Sequence, residues 1–421
     1  MTAPEMISMG CRLNIAESET LRQNLAAANI DGANLVIVNS CAVTNEAVRQ
    51  TRQAIRRAKK DNPEKNIIVT GCAAQVDPAM FADMPETSAV VGNIDKYDAA
   101  NFKLGLQSNR PDIRVSDIMQ LTETAPHMVS AFADRSRAFV EIQNGCDHRC
   151  TFCIIPYGRG NSRSVPAGEI VSQVQALVDQ GFQEVVLTGV DVTSYGPDLP
   201  GEPTLGMLVE RILKLVPGLP RLRLSSLDGI EIDERLFDLL TGEQRLMPHV
   251  HLSLQSGDDM ILKRMKRRHS REQAIALVER LKSRRPEIAI GADIIAGFPT
   301  EDDRMFAHSQ AIIDQCDVVH GHIFPYSPKQ GTPAAKMPQV EGHVIKERAK
   351  ILRETVNKRV QKWRLSLIGT KQNVLVENSG DAGYAENFAR IQLDVPVGKG
   401  RVIPVKVTGI ENKQLIGRVQ A

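Results

Sequence analysis

Cys11, Cys41 and Cys72 constrain the fold of the N-terminal part of this chain, because each follows an extended apolar run. They are spaced roughly thirty residues apart, the length of one strand–helix unit. Helical patterns follow the first two, over residues 16–29 and 45–60. The alternation predicts an open parallel α/β sheet with all three cysteines at its carboxyl edge, where ligands bind. Such a trio favours a three-cysteine metal cluster; the alternative is three unrelated buried cysteines.

A second trio, Cys146, Cys150 and Cys153, forms a C-x3-C-x2-C motif after an apolar run. Three such thiolates can bind three irons of a cubane cluster and leave the fourth iron open to chelate a small molecule. A zinc site is the alternative. Structural zinc normally takes four protein ligands, and His148, inside the loop, is poorly placed to be the fourth. The motif therefore predicts a reactive iron–sulfur cluster.

The composition, with 42% hydrophobic residues, is that of a globular protein with sizeable cores. No stretch approaches the roughly 18 consecutive apolar residues of a membrane span, and the N-terminus has no charged-then-apolar leader. We therefore expect a cytoplasmic protein that does not bind membranes. Seven cysteines in a reducing compartment favour metal binding or catalysis over disulfides. Cys316 has no cysteine nearby and is expected to be a packed core residue.

The net charge is only +2, so any affinity for nucleic acid must come from local patches. Two such patches exist, at residues 49–60 and 263–271, each with six basic residues and no acid.

From residue 137 onward, six strand-like runs alternate with helical patterns such as 167–180 and 271–284. The runs span residues 138–142, 184–188, 221–225, 249–254, 288–295 and 318–324. They predict an incomplete (β/α)6 barrel whose C-terminal face carries the site. The polar stretch 108–136 before them is interpreted as a linker.

The C-terminal part changes its pattern. A charged helix from residue 344 to about 367 precedes short β-patterned segments at 373–377, 389–395 and 401–408 that glycines separate, which indicates a small antiparallel barrel. The chain is therefore predicted to be an α/β protein of three domains, over residues 1–107, 132–362 and 363–421.

The chain resembles the radical S-adenosylmethionine (SAM) methylthiotransferases over essentially its whole length. The resemblance lies in the Cys146/Cys150/Cys153 loop and in the segments Met9-Gly-Cys11-Arg-Leu-Asn14 with Glu17-Ser-Glu19, Asn39-Ser-Cys41-Ala-Val-Thr44, Thr70-Gly-Cys72-Ala-Ala-Gln75, Ser253-Leu-Gln255-Ser-Gly257, Asp293-Ile-Ile-Ala-Gly297-Phe-Pro299, and Phe324-Pro-Tyr326-Ser with Gly331-Thr-Pro333. The C-terminal part is similar to the TRAM domain, an RNA-binding β-barrel, through Gly383-Tyr-Ala-Glu-Asn387.

The resemblance implies two [4Fe–4S] clusters and SAM. The cluster on Cys146, Cys150 and Cys153 would bind SAM and, on receiving an electron, yield the 5′-deoxyadenosyl radical. The auxiliary cluster on Cys11, Cys41 and Cys72 would hold the sulfur that is inserted, methylated by a second SAM.

Further SAM contacts are expected from residues near the cluster loop and the barrel strand ends. Phe152 would exclude water and flank the adenine. Thr188-Gly189 departs from the superfamily's usual glycine–glycine–glutamate run, and Asp191 is the nearby acid. Ser225 and Gln255 would contact the ribose or the carboxylate, although each could equally be a turn residue.

The family divides between tRNA purines and one ribosomal-protein aspartate, and the basic patches favour RNA. Three segments look most like the branch that acts on N6-threonylcarbamoyladenosine (t6A) at tRNA position 37: Cys41-Ala-Val-Thr44-Asn-Glu46, Arg52-Gln-Ala-Ile-Arg56-Arg57 and Lys263-Arg-Met-Lys-Arg-Arg268. The basic residues in 264–268 are candidates for pairing with the threonyl carboxylate, or equally with tRNA phosphate.

Two alternatives stay open: the branch that acts on N6-isopentenyladenosine at position 37, and a non-catalytic iron–sulfur RNA-binding protein. The expected partners of an enzyme of this kind are tRNA, an electron donor such as flavodoxin or ferredoxin, and a sulfur source.

Overall fold

The computed structural model describes residues 2–103, 111–121 and 136–420. The chain forms two compact units. The first comprises residues 1–129, 141–165 and 327–332, and the second comprises 130–140, 166–326 and 333–421. Both cysteine trios therefore belong to the first unit.

The first unit is built on a five-stranded parallel sheet in the order β1-β2-β3-β4-β5. Its successive elements are β1 (Glu5–Ser8), α1 (Arg12–Ala27), β2 (Leu35–Ser40), α2 (Asn45–Asp61), β3 (Asn66–Gly71), α3 (Cys72–Val76), α4 (Pro78–Ala82), β4 (Ala89–Val91) and β5 (Asp112–Arg114). Alternate residues of β2 pack into two different apolar clusters, which shows that both faces of the sheet are covered. The predicted open parallel α/β architecture is confirmed.

Helix α2 shows how local sequence sets one of these elements. The Thr44 side chain caps its N-terminus by accepting a hydrogen bond from the backbone N–H of Ala47 at 3.0 Å. Thr51, Ile55 and Ala58 form its buried side. Because these residues are three or four positions apart, the basic residues between them lie towards solvent.

Strand β5 is a difference from the prediction. The stretch interpreted as a linker supplies this strand, which pairs in parallel with β4. Three residues with only Ile113 apolar carry too little periodicity to be recognised from sequence. The other parts of that stretch, residues 108–110 and 122–135, lie outside the described residues.

Strand β6 (Ala138–Asn144) begins in the second unit and ends in the first. In the first unit it is followed by the cluster loop, α5 (Ile155–Arg159) and β7 (Arg163–Ser164), and β7 pairs antiparallel with the end of β6.

The second unit continues with strands and helices in alternation. They are α6 (Ala167–Asp179), β8 (Glu184–Gly189), α7 (Leu205–Leu215), β9 (Arg221–Leu224), β10 (Ser226–Leu227), α8 (Glu234–Gly242), β11 (His249–Gln255), α9 (Asp259–Met265), α10 (Arg271–Arg284), β12 (Ala289–Ala296), α11 (Asp303–Gln315), β13 (Val318–Pro325) and α12 (Gly342–Leu367). Strands β8 and β9 pair in parallel, as do β10 to β13 in order. All six predicted barrel strands are found. Cys316, at the end of α11, is fully buried as expected.

The C-terminal strands close into a small barrel in the order β14-β15-β16-β18-β17. They are β14 (Lys371–Val376), β15 (Ala382–Tyr384), β16 (Arg390–Leu393), β17 (Val402–Glu411) and β18 (Gln414–Val419). All neighbouring pairs are antiparallel except β16 and β18. The predicted barrel is confirmed, and β15 and β18 are the strands that the sequence pattern missed.

A buried charge cluster joins the two barrels of the second unit. Glu184, at the start of β8, is fully buried and accepts hydrogen bonds from Arg223 at 3.0 and 3.1 Å. Arg223 also donates to the backbone carbonyl of Glu386 in the C-terminal barrel, at 3.0 Å. Burial alone would raise the pKa of Glu184, but Arg223 and Arg137 outweigh it and lower the pKa to about 2.

Within the described ranges, no helix is both long enough and apolar enough to cross a membrane.

Candidate active site

The three N-terminal cysteines meet at the carboxyl edge of the parallel sheet. Cys11 precedes α1, Cys41 directly follows β2, and Cys72 is the first residue of α3. Strands β1, β2 and β3 are neighbours in the sheet, and the ideal Cβ position of Gly10, next to Cys11, lies 2.7 Å from Sγ of Cys41. The predicted convergence of this trio is therefore present in the structure.

Glycines make this convergence possible. Gly10 has φ +89°, and a Cβ atom there would lie 2.7 Å from both Cβ and Sγ of Cys41. Gly71 has φ +92°, and its Cβ would lie 2.5 Å from the carbonyl oxygen of Ser40. Only glycine suits both the left-handed backbone and the close approach, which explains why a glycine precedes Cys11 and Cys72.

Arg159, the last residue of α5, donates a hydrogen bond from Nε to Sγ of Cys72 at 3.1 Å. The side-chain amide of Asn93 also approaches this sulfur, at 3.9 Å. Donors aimed at a sulfur suit a thiolate that carries negative charge, which is the form of cysteine that binds iron. The surroundings of Cys72 thus fit a cluster ligand.

The guanidinium of Arg159 is held in turn by Glu17 of α1. Its two terminal nitrogens donate to the two carboxylate oxygens at 2.8 and 3.1 Å. Lys96 lies 2.9 Å from the same carboxylate, and all three side chains are buried. Burial would raise the pKa of Glu17, but the charges of Arg159 and Lys96 outweigh it and hold that pKa far below its usual range.

Cys41 is buried, as Cys72 is. Burial raises the pKa of its thiol to about 11, so a bound metal must displace its proton. A buried lysine, Lys329, donates to Asn45 Oδ1 at 3.0 Å; burial lowers the pKa of this lysine, and the charge of Cys41 acts against that shift. Segment 327–332 is therefore part of the surroundings of this trio, which its position in the sequence did not reveal.

The second trio lies on a loop that backbone contacts hold in place. The N–H of Cys146 donates to the carbonyl of Gly160 at 3.1 Å, and the N–H of Cys153 donates to that of Cys150 at 3.1 Å. Asp147 accepts from the N–H of Ser162 at 3.0 Å, which fixes the loop against the segment before β7. The three cysteines are half-exposed. Partly accessible thiols on one short loop fit a cluster that a small molecule must reach.

The predicted SAM-contacting residues lie on both units. Phe152 is half-buried in the cluster loop of the first unit. In the second unit, Thr188 and Gly189 end β8, Ser225 directly follows β9, and Gln255 ends β11. They share the carboxyl ends of parallel strands, the edge where ligands bind in such folds, and their contacts with SAM stay predictions.

Two of these residues have distinctive geometry. The carboxylate of Asp191 accepts hydrogen bonds from the hydroxyl groups of Thr193 at 3.2 Å and Ser194 at 3.1 Å. Gln255 has φ +64°, a left-handed conformation that is strained for a residue with a side chain. Other non-glycine residues, such as Asn29 and Asn412, share this conformation, so the contact of Gln255 with SAM stays a prediction.

Sequence reasoning missed Arg159 and its partners. Asn14 and Glu17 lie in a segment that carries the family resemblance, but no role followed from it. The only local signal for Arg159 is a glycine on each side. Its contact with Cys72 joins residues 87 positions apart, and a long-range contact of this kind leaves no periodic pattern in a single sequence.

Comparison with known families gives two matches. Residues 140–311 match the Radical SAM superfamily, and residues 5–92 match a group described as uncharacterized protein family UPF0004. The second match covers β1 to β4 and all three cysteines of the N-terminal trio.

Curated relatives match over nearly the full length. The chain is 52% identical over 407 residues to the threonylcarbamoyladenosine tRNA methylthiotransferase MtaB of Rickettsia prowazekii, a match that covers 97% of this chain and 95% of the relative. It is 36% identical to the protein of the same name from Bacillus subtilis, over 81% of this chain and 77% of the relative.

Among solved structures, the radical S-adenosylmethionine methyltransferase TsrM of Kitasatospora setae is similar, with a TM-score of 0.54 at 16% identity. The match covers 77% of this chain and 68% of TsrM. At this identity, the likeness concerns the fold alone.

Proposed function

The chain belongs to the radical SAM methylthiotransferase family, and we propose that it converts t6A at position 37 of tRNA into its 2-methylthio derivative. In this reaction a methylthio group replaces the hydrogen on C2 of the adenine. The names of the curated relatives support the threonylcarbamoyl substrate.

The chain is an enzyme, and its cofactors are SAM and two [4Fe–4S] clusters. We assign the SAM-binding cluster to Cys146, Cys150 and Cys153, and the auxiliary cluster to Cys11, Cys41 and Cys72. When bound, the SAM-binding cluster supports the cleavage of SAM, and the auxiliary cluster supplies the sulfur. The protein's own part is to hold the thiolates, exclude water and position the base.

The observation that carries the proposal is the meeting of Cys11, Cys41 and Cys72 at one sheet edge, in the same unit as the second trio. A radical SAM enzyme needs only one trio to cleave SAM. A second trio, with an arginine donating to one of its sulfurs, is suited to an additional cluster and so to sulfur insertion.

The C-terminal barrel offers a surface for tRNA. Lys371 lies opposite Lys406 on the neighbouring strand, and Lys406 lies opposite Arg418 on the next. All three side chains are exposed. Like charges directly opposite one another destabilise a sheet. Asp394 lies 3.9 Å from Arg418 and offsets part of this repulsion, and the phosphates of a polyanionic partner would offset more of it.

The basic residues of helix α12 form two groups: arginines that pair with acids and lysines that are exposed. Arg348 is buried and pairs with Glu301 at 3.0 Å, and Arg359 pairs with Asp317. The lysines of the helix are instead exposed and lie one or two turns apart: Lys346, Lys350, Lys358 and Lys362. Because side chains four residues apart share a helix face, Lys346 with Lys350 and Lys358 with Lys362 form two pairs of positive charge that the RNA backbone can contact.

The basic patch at residues 263–271 is less available for binding RNA than its sequence indicates. Arg267 donates to the carboxylate of Asp228 at 2.9 Å, and Arg268 pairs with Asp228 at 3.2 Å and with Glu231 at 2.6 Å. Ion pairs with acids of the same unit neutralise much of this charge. Lys263 and Lys266 stay exposed and are the better candidates for phosphate contacts from this segment.

The proposal is tested with purified, reconstituted enzyme, SAM, a reductant and anticodon stem-loops that carry t6A, N6-isopentenyladenosine or unmodified adenosine at position 37. We expect the methylthio product only from the t6A stem-loop. Turnover of the isopentenyl stem-loop alone would assign the chain to the other tRNA branch. Flavodoxin or ferredoxin is proposed as the electron donor, and sulfide added to the assay stands in for the sulfur source.

A triple variant distinguishes the roles of the two cysteine trios. The Cys11→Ala/Cys41→Ala/Cys72→Ala enzyme should still form 5′-deoxyadenosine, because the SAM-binding trio is intact, while it makes no methylthio product. Sulfur insertion by this variant would show that the N-terminal trio is structural.

A further inference from the structure

The segment Gly158-Arg159-Gly160 is pressed against the N-terminal trio. A Cβ atom at Gly158 would lie 3.3 Å from Cβ of Cys72, and the carbonyl of Gly158 accepts a hydrogen bond from Asn93 at 2.5 Å. Gly160 has φ +77° and passes within 2.5 Å, measured from its ideal Cβ position, of the carbonyl oxygen of Ile118. The two glycines allow the backbone to bring the side chain between them to the cysteines.

The guanidinium of Arg159 connects its own helix α5 with α1, α3 and the end of β6. Besides Cys72 and Glu17, it donates to Asn14 Oδ1 at 2.7 Å and to Asn144 Oδ1 at 3.1 Å. Asn14 lies in α1, which begins directly after Cys11, and Asn144 ends β6, two residues before Cys146. Arg159 is only 2% exposed, so its orientation is fixed by these partners.

We propose that Arg159 is a positioning residue that orients the Cys72 thiolate and, through its Nε–H donation and its charge, raises the reduction potential of the auxiliary cluster. The inference rests on the proposed role of Cys72 as a ligand of that cluster. Hydrogen bonds to ligand sulfurs and nearby positive charge both stabilise the reduced, more negative form of a cluster.

A single Arg159→Gln variant is a poor test, because it leaves Glu17 with one buried cationic partner instead of two and can prevent folding. The sharper comparison uses two double variants of equal net charge. Glu17→Gln/Arg159→Gln removes the carboxylate and the donor to Cys72. Glu17→Gln/Lys96→Met removes the same carboxylate and its other cation, but it leaves Arg159 beside Cys72.

The measurement is a potentiometric titration, followed by electron paramagnetic resonance, of the full-length chain with Cys146, Cys150 and Cys153 changed to Ala, so that one cluster is observed. We expect Glu17→Gln/Arg159→Gln to lower the midpoint potential by about 59 mV, a tenfold change in a one-electron reduction equilibrium. The Lys96 double variant should shift it much less. An Arg159→Lys variant keeps the positive charge. Its midpoint potential should lie between that of the parent and that of Glu17→Gln/Arg159→Gln.

Equal potentials in the two double variants, with iron retained in both, would overturn the role of Arg159 while the function stands. A parent chain that binds no iron at all would instead contradict the assignment of the auxiliary trio, and with it both proposals.

Discussion

Gly10 and Cys41 lie in such close contact that a single added methyl group at Gly10 would reach within 2.7 Å of the Cys41 sulfur. The loop before α1 therefore packs against the end of β2 so closely that no side chain fits at Gly10. This contact leads to a prediction that separates backbone strain from disruption of the trio.

Gly10→Ala should lose the auxiliary cluster. Both the positive φ and the contact with Cys41 oppose the methyl group, so reconstituted protein should contain about four irons rather than about eight per chain. Gly181→Ala is the matched control, because Gly181 also has a positive φ, +91°, but nothing lies within 4 Å of its Cβ position. The control should lose on the order of 1 kcal/mol of stability and keep its iron. Full iron content in Gly10→Ala, measured after anaerobic reconstitution, would contradict the convergence of the trio.

The basic row Lys371–Lys406–Arg418 is expected to contact tRNA phosphates. Changing all three residues to Gln should weaken tRNA binding and reduce the slope of log Kd against log salt by about 3. Lys399 and Lys413, exposed in loops of the same barrel, provide the control double variant. Because removing opposed like charges relieves repulsion, the thermal stability of the triple variant should be unchanged or higher. An unchanged salt slope would remove this row from the RNA-binding surface.

These substitutions are a better test than deletion of the barrel. Residues 371–421 supply partners to the charge cluster of Glu184 and Arg223. Their removal would expose that buried cluster and confuse loss of RNA binding with loss of folding.

The same charge cluster predicts a pH dependence of stability. The pKa of Glu184 is about 2 in the folded protein, below the value near 4.5 expected when it is unfolded. The carboxylate therefore stabilises the fold above pH 4.5, and this contribution falls as the pH drops towards 2. The loss between pH 4.5 and about 3 is on the order of 2 kcal/mol. Urea unfolding across this range should show a shallower pH dependence in Glu184→Gln/Arg223→Met than in the unchanged protein. An equal dependence would rule out this carboxylate as its source.

Several elements could be predicted because their patterns are local. The positions of all six cysteines after strands or within one loop, the six barrel strands and helices such as α10 follow from apolar periodicity and spacing over a few residues. The short strands β5, β7, β10 and β15 could not be predicted, because two or three residues carry no measurable period.

The surroundings of the cysteines could not be predicted for a different reason. Arg159, Glu17 and Lys96 form an ion-pair network between residues that are far apart in sequence. Each alone is an ordinary charged residue, and only the fold makes their burial visible. For the basic segment around Arg267, the sequence instead overstates the available charge. Asp228, which precedes Arg267 by 39 residues, partly neutralises it.

The most direct test of the proposed function is mass spectrometry of tRNA nucleosides from cells with and without this protein. We predict that 2-methylthio-N6-threonylcarbamoyladenosine disappears when the protein is absent, that t6A accumulates in its place, and that the chain restores the modified nucleoside while its Cys11→Ala/Cys41→Ala/Cys72→Ala variant does not. Loss of the isopentenyl counterpart, with the threonylcarbamoyl nucleoside intact, would contradict the account.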